Sequence, residues 1–199
     1  LPVICYTNCE DAELFVNGRS FGMKSKGFPC YGMTERYGHF DRYRRPANTD
    51  DLFLSWDVPY EPGKIEVVGY HDGQEVCRYN VETTGEAAAI KLTVDKTSVD
   101  ADGRSVVQAE VRILDSEGHL VFDACPELNF TLEGDGEIIG IDNGDPACHE
   151  QWKETKGRHA FNGMAYAVIR AGQNKGELKL TVTSSDNTLT NASVTIQVG

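Results

Sequence analysis

The sequence predicts an all-β chain of two tandem β-sandwich domains, and three observations predict it. Apolar and polar residues alternate with period two over many short runs. Asn-Gly and Asp-Gly dipeptides fall between those runs, where a two-residue hairpin turn needs positive φ. No window of eleven or more residues carries a capped helical stripe.

The elements follow in order. The run 12–16 meets Asn17-Gly18 and then Arg19-Ser-Phe21, which predicts a hairpin. The run 65–70, Asp72-Gly73 and Glu75-Val-Cys77 predict a second. Between them lies an insert, residues 24–51, dense in Phe28, Tyr31, Tyr37, Phe40 and Tyr43 with Arg36, Arg42, Arg44 and Arg45. A loop of that length in a compact domain is either functional or mobile; its Arg and Tyr content suits docking on another surface, and folding back on its own sandwich is the alternative. The small-residue stretch 83–89 marks a boundary, so the domains are expected at 1–86 and 87–199.

Beyond the boundary, Ile90/Leu92/Val94 opens a new alternating series. Val107, Ala109, Val111 and Ile113 share one face of the next run, with Gln108, Glu110 and Arg112 on the other. Leu128/Phe130/Leu132, Leu178/Leu180/Val182 and Val194/Ile196/Val198 repeat the pattern. Asp102-Gly103 and Glu117-Gly118 punctuate it. This density of short strands and turns is that of an immunoglobulin-like sandwich.

Composition excludes several functions. The 199 residues suffice for two domains of about 100 each. A net charge of −12 is shared by both halves: 9 basic against 14 acidic residues to Ala87, 10 against 17 after it. Both would repel a phosphate backbone, which argues against nucleic acid. No apolar run is long enough for a membrane helix. The six cysteines (Cys5, Cys9, Cys30, Cys77, Cys125, Cys148) show no zinc-ligand spacing, so neither metal nor cofactor is expected. They read as buried thiols, or as one disulfide whose partners sequence cannot choose, if the protein is exported. Asp142, Asn143, Asp145 and Glu150 offer calcium-type oxygens without EF-hand spacing, so a self-capped turn is the simpler expectation.

Several stretches carry a family resemblance. Tyr6-Thr-Asn-Cys-Glu-Asp-Ala-Glu-Leu-Phe-Val-Asn-Gly18, Trp56-Asp-Val-Pro-Tyr-Glu-Pro-Gly63 and Ile65-Glu-Val-Val-Gly-Tyr-His-Asp-Gly73 resemble the sandwich that follows the catalytic barrel in family 2 glycoside hydrolases of the bacterial β-galactosidase type. Ala88-Ala-Ile-Lys-Leu-Thr-Val-Asp-Lys96, Gly136-Glu-Ile-Ile-Gly-Ile-Asp-Asn-Gly-Asp-Pro146 and Ala160-Phe-Asn-Gly163 resemble the last domain of those enzymes, itself similar to invasin/intimin-type repeats. The resemblance implies a non-catalytic C-terminal region of a secreted, periplasmic or extracellular glycosidase. Its partners would be the parent's catalytic and N-terminal domains. The family's acid/base lies in an Asn-Glu pair, and this sequence contains no Asn-Glu dipeptide. The chain opens on Leu1 rather than Met, as expected of a piece of a longer protein. No catalytic residue is therefore expected. The alternatives are a carbohydrate-binding module and adhesin-like surface domains. For sugar binding the candidates are Trp56, Tyr60, Tyr37, Tyr43, Arg42, Trp152 and His149, since sugar C–H faces stack on aromatic rings while polar neighbours bind the hydroxyls.

Overall fold

The computed structural model describes residues 1–25, 53–153 and 156–199. These form strands and turns alone, so the chain is all-β. Two compact units divide it, Leu1–Thr83 and Thr84–Gly199.

The first unit contains β1 (Pro2–Cys5), β2 (Asp11–Val16), β3 (Arg19–Ser25), β4 (Leu54–Asp57), β5 (Lys64–His71) and β6 (Gln74–Glu82). Four strands form a sheet in the order β3-β2-β5-β6, and β1 pairs with β4 in a separate two-stranded sheet. Both hairpin turns are where Asn-Gly and Asp-Gly predict them, with φ of 49° and 79° at Asn17 and Gly18, and 49° and 74° at Asp72 and Gly73. Lys24 and Ser25, expected inside the insert, instead complete β3, where Lys24 pairs with Ala12. Tyr37, Tyr43, Arg42 and the rest of the insert lie outside the described residues.

Alternation makes the core of this unit. Ala12, Leu14 and Val16 point to one face of β2 and cluster with Leu54, Trp56 and Val58 from the two-stranded sheet and the chain after it. On that same face, Ile65, Val67 and Gly69 of β5 pair with Val81, Tyr79 and Cys77 of β6. Cover reaches β5 but stops short of β6. Every residue of β6 is exposed, Tyr79 at 73%.

The second unit is a two-layer sandwich of β7 (Ala89–Val94), β8 (Ser98–Val99), β9 (Val106–Leu114), β10 (Glu127–Glu133), β11 (Gly136–Asp142), β12 (Gly157–His159), β13 (Met164–Ala171), β14 (Gly176–Ser184) and β15 (Ala192–Val198). The sheets run β12-β10-β14-β15-β8 and β11-β13-β9-β7. Their inner faces interdigitate: Val107, Ala109, Val111 and Ile113 from one, Leu128, Phe130, Leu178, Leu180 and Ile196 from the other, all essentially inaccessible. Alanines 165, 167 and 171 carry most of the inward face of β13, leaving room for the bulkier chains opposite.

Candidate functional site

Two concavities, one in each unit, are lined by exposed aromatic side chains. In the second unit, β11 bulges between Ile138 and Gly140, and the chain after Asp142 turns back along it. The amide of Ile141 donates to the carbonyl of Trp152 at 2.9 Å, which lays Trp152 against Gly140. A cleft of about 280 Å³ results, lined by Ile139, Gly140, Asp142, Trp152, Tyr166 and Val168. Trp152 remains 53% exposed, and the Lys153 ammonium sits 4.5 Å from its ring centroid.

Buried charge holds the loop that carries this tryptophan. Arg158 is 4% exposed; one guanidinium nitrogen donates to the Glu150 carbonyl at 3.0 Å, and the other reaches Asp142 Oδ1 and Asn143 Oδ1 at 3.4 Å. Its Nε is buried without a partner among the described residues. The Asp142 carboxylate accepts the amides of Asn143 and Gly144, and those bonds, helped by Arg158, hold its pKa below the usual range. Glu150 binds the His159 ring and accepts the His159 amide, and its pKa is lowered chiefly by that ring contact. Asp145 caps the Ala147 amide. The oxygens named as potential calcium ligands are thus engaged as caps of their own loop.

Asp115 is a second buried charge, 4% exposed, that sequence reasoning passed over. It accepts the amides of Gly85, Glu117 and His119 at 2.8–2.9 Å, which lowers its pKa to about 2, the Gly85 bond contributing most. Asp115 therefore anchors the opening residues of the second unit to the turn after β9. The signal was an aspartate two residues before Glu117-Gly118, an Asx-turn spacing.

In the first unit a groove of about 320 Å³ is lined by Ile4, Cys5, Tyr6, Thr7, Val67, Gly69, Cys77, Arg78 and Tyr79. Ile4 is 50% exposed and Tyr6 77%, with Val81 nearby on β6 at 50%. Tyr6 meets Phe53 edge-to-face at 5.7 Å between centroids. At the turn between β5 and β6, the exposed residues Glu10, His71 and Asp72 group together, and Glu10 accepts the Asp72 amide as a turn cap.

Within each unit, the described residues expected to bind sugar are not gathered into one place. Trp56 is 4% exposed, packed in the core with its Nε1–H donating to the Gly22 carbonyl at 3.0 Å, so no ligand reaches its ring. That placement corrects its assignment as a binding residue: Leu54, Trp56 and Val58 alternate inward together. Tyr60 is exposed in the first unit. His149 is exposed in the second and does not line the Trp152 cleft.

Comparison with known proteins fits this architecture. Residues 90–195, more than half of the chain, match the family model "Glycoside hydrolase family 2 C-terminal domain 5", and residues 1–77 match "Domain of unknown function (DUF4982)". A β-galactosidase of Bacteroides ovatus is 36% identical over 90% of the chain, and a putative β-glucuronidase of Formosa agariphila is 26% identical over 86%. A glycosyl hydrolase family 2 member from Bacteroides cellulosilyticus superposes on the whole chain with a TM-score of 0.84 and 29% identity; a β-glycosidase from Bacteroides vulgatus does so with 0.81 and 29%. The chain spans 19% of the first relative, 15% of the second, and 23% and 22% of the two solved chains. The chain belongs to the C-terminal domain 5 family of glycoside hydrolase family 2.

Proposed function

We propose that this chain is the non-catalytic C-terminal region of a bacterial β-galactosidase-type hydrolase, acting in the periplasm or outside the cell, where it packs on the catalytic barrel and supports it. The observation that carries the reading is the match of its whole length to under a quarter of much longer glycosidase chains. The first unit supplies a surface for such packing. Its core face continues onto β6 as Tyr79 and Val81, flanked by Ile4 and Tyr6, and nothing among the described residues covers these side chains. A continuous apolar face at a sheet edge is an interface feature, and the occupant we assign is the remainder of the parent chain.

Retaining hydrolysis needs two carboxyl groups roughly 5–5.5 Å apart, one free to act as an acid. Asp142, which lines the Trp152 cleft, and Glu150 on the loop that carries Trp152 are spent as loop caps with lowered pKa, the opposite of a poised acid. The purified chain is expected to release no product from an aryl galactoside that the full-length enzyme cleaves. Turnover by the chain, abolished by replacing one of its own carboxylates, refutes the reading.

A second reading, a sugar-binding module, is favoured by one observation, the half-exposed Trp152 over its cleft. Affinity electrophoresis through galactan-containing gels separates the two. Retardation that W152A abolishes establishes binding, and unretarded mobility rejects it.

A further inference from the structure

The sulfurs of Cys9 and Cys77 lie 3.6 Å apart, although the residues are 68 positions apart in sequence. Cys9 is carried there by the bend before β2, where its amide donates to Thr7 Oγ1 at 3.0 Å; Cys77 lies on β6 opposite Gly69 of β5. Gly69 makes the arrangement possible. A Cβ there would sit 2.6 Å from the Cys9 sulfur and 2.7 Å from the Cys77 sulfur, closer than such atoms approach. The missing side chain is the space the two sulfurs share.

We propose that Cys9 and Cys77 are a disulfide-forming pair that ties the edge strand β6 to the bend preceding β2. Van der Waals contact must close to a bond of about 2.05 Å, a movement within reach of side-chain torsions on a short bend. Access is asymmetric: Cys9 is 5% exposed, while Cys77 is exposed along the groove beside Tyr79. The exchange therefore begins at Cys77. Its thiolate attacks a small-molecule disulfide RSSR, displacing one thiolate that leaves as RSH, and Cys9 then attacks the Cys77 sulfur and releases the second RSH. Two thiols are oxidised and one disulfide is reduced to two thiols. Contact with the Cys9 sulfur, and then desolvation, raise the Cys77 thiol pKa, so the first step goes on quickening to higher pH than at an ordinary thiol.

The bridge constrains the strand that most needs it. β6 is the last strand of its unit, held on one side by β5 and exposed throughout. Closing a loop of this length removes conformational freedom from the unfolded chain, and the expected rise in melting temperature of the first unit is on the order of 10 °C.

The test uses the reduced chain, incubated with oxidised glutathione at alkaline pH, alkylated, and digested without reduction for mass spectrometry. The expected product links the Cys9 peptide to the Cys77 peptide. Alkylation of both residues, or a bridge from either to Cys5 or Cys30, overturns the proposal. Melting provides a second readout that does not depend on peptide recovery. C9S and C77S are each expected to abolish the oxidant-induced shift, and a shift that persists in either variant is equally fatal. G69A is expected to block the bridge by wedging the sulfurs apart; bridging that proceeds in a folded G69A protein counts against the assigned geometry.

Discussion

Replacing Arg158 by Met and by Ala separates packing from charge at the loop that carries Trp152. The guanidinium is 4% exposed, but the carboxylate it faces, Asp142, is 65% exposed and keeps two amide donors of its own. Removing the cation therefore strands no buried anion, the usual reason that breaking a buried ion pair costs several kcal/mol. Methionine preserves most of the stem volume. It forfeits the bond to the Glu150 carbonyl, worth about 1–3 kcal/mol, and relieves a desolvated guanidinium whose Nε has no partner among the described residues. These terms oppose each other, so R158M is expected within about 1 kcal/mol of the parent. Alanine removes the stem as well and leaves a cavity, costing about 2–4 kcal/mol. At roughly 4 °C per kcal/mol, melting of the second unit should drop by about 8–16 °C in R158A and hardly at all in R158M. Circular dichroism melts of the three proteins decide it. If R158M falls as far as R158A, the charge rather than the packing holds the loop, and the reasoning is wrong.

Acid should weaken the second unit through Asp115. Folding gives that carboxylate three amide donors, so its pKa drops from 3.8 to about 2. The stabilisation is complete above pH 3.8 and is lost as pH falls from there through 2. Urea midpoints measured down that range should decline, and D115N should flatten the dependence. Trp56→Phe deletes the hydrogen bond to the Gly22 carbonyl and some ring volume, an expected loss of about 1–3 kcal/mol in the first unit, read from its own unfolding transition. Tyr79→Ser with Val81→Ser should leave the isolated chain's melting unchanged, since both side chains are exposed there, yet destabilise the full-length enzyme; equal melting of the full-length pair would remove the docking surface. Disulfide exchange at Cys77 should keep accelerating beyond the ordinary thiol pKa of about 8.5, and a plateau there contradicts the raised value.

What could be read from the sequence was local. Period two sets which side chains share a strand face, so the alternation at Val107–Ile113 and Leu178–Val182 identified strands and their inward residues before any partner was known. Turn dipeptides are local as well, because Asn and Gly are the residue types that most readily take the positive φ seen at Asn17-Gly18. Met164–Ala171 escaped notice since its inward residues are mostly alanine, too small to stand out as an apolar stripe. The rest required the folded chain. Whether Trp56 faces a core or a ligand depends on which sheet lies over it, and β4 is supplied from far along the chain to pair with β1. Arg158 gives no local sign of burial; Asp142 at the end of β11 and Glu150 on the loop after it meet it only in the folded chain. Six cysteines permit many pairings, and spacing favours none of them. Cys9 and Cys77 meet because β5 lies between β2, whose preceding bend carries Cys9, and β6, and has a glycine at the one position where both sulfurs need room. Register between strands distant in sequence is a property of the tertiary structure, and it decides which side chains touch.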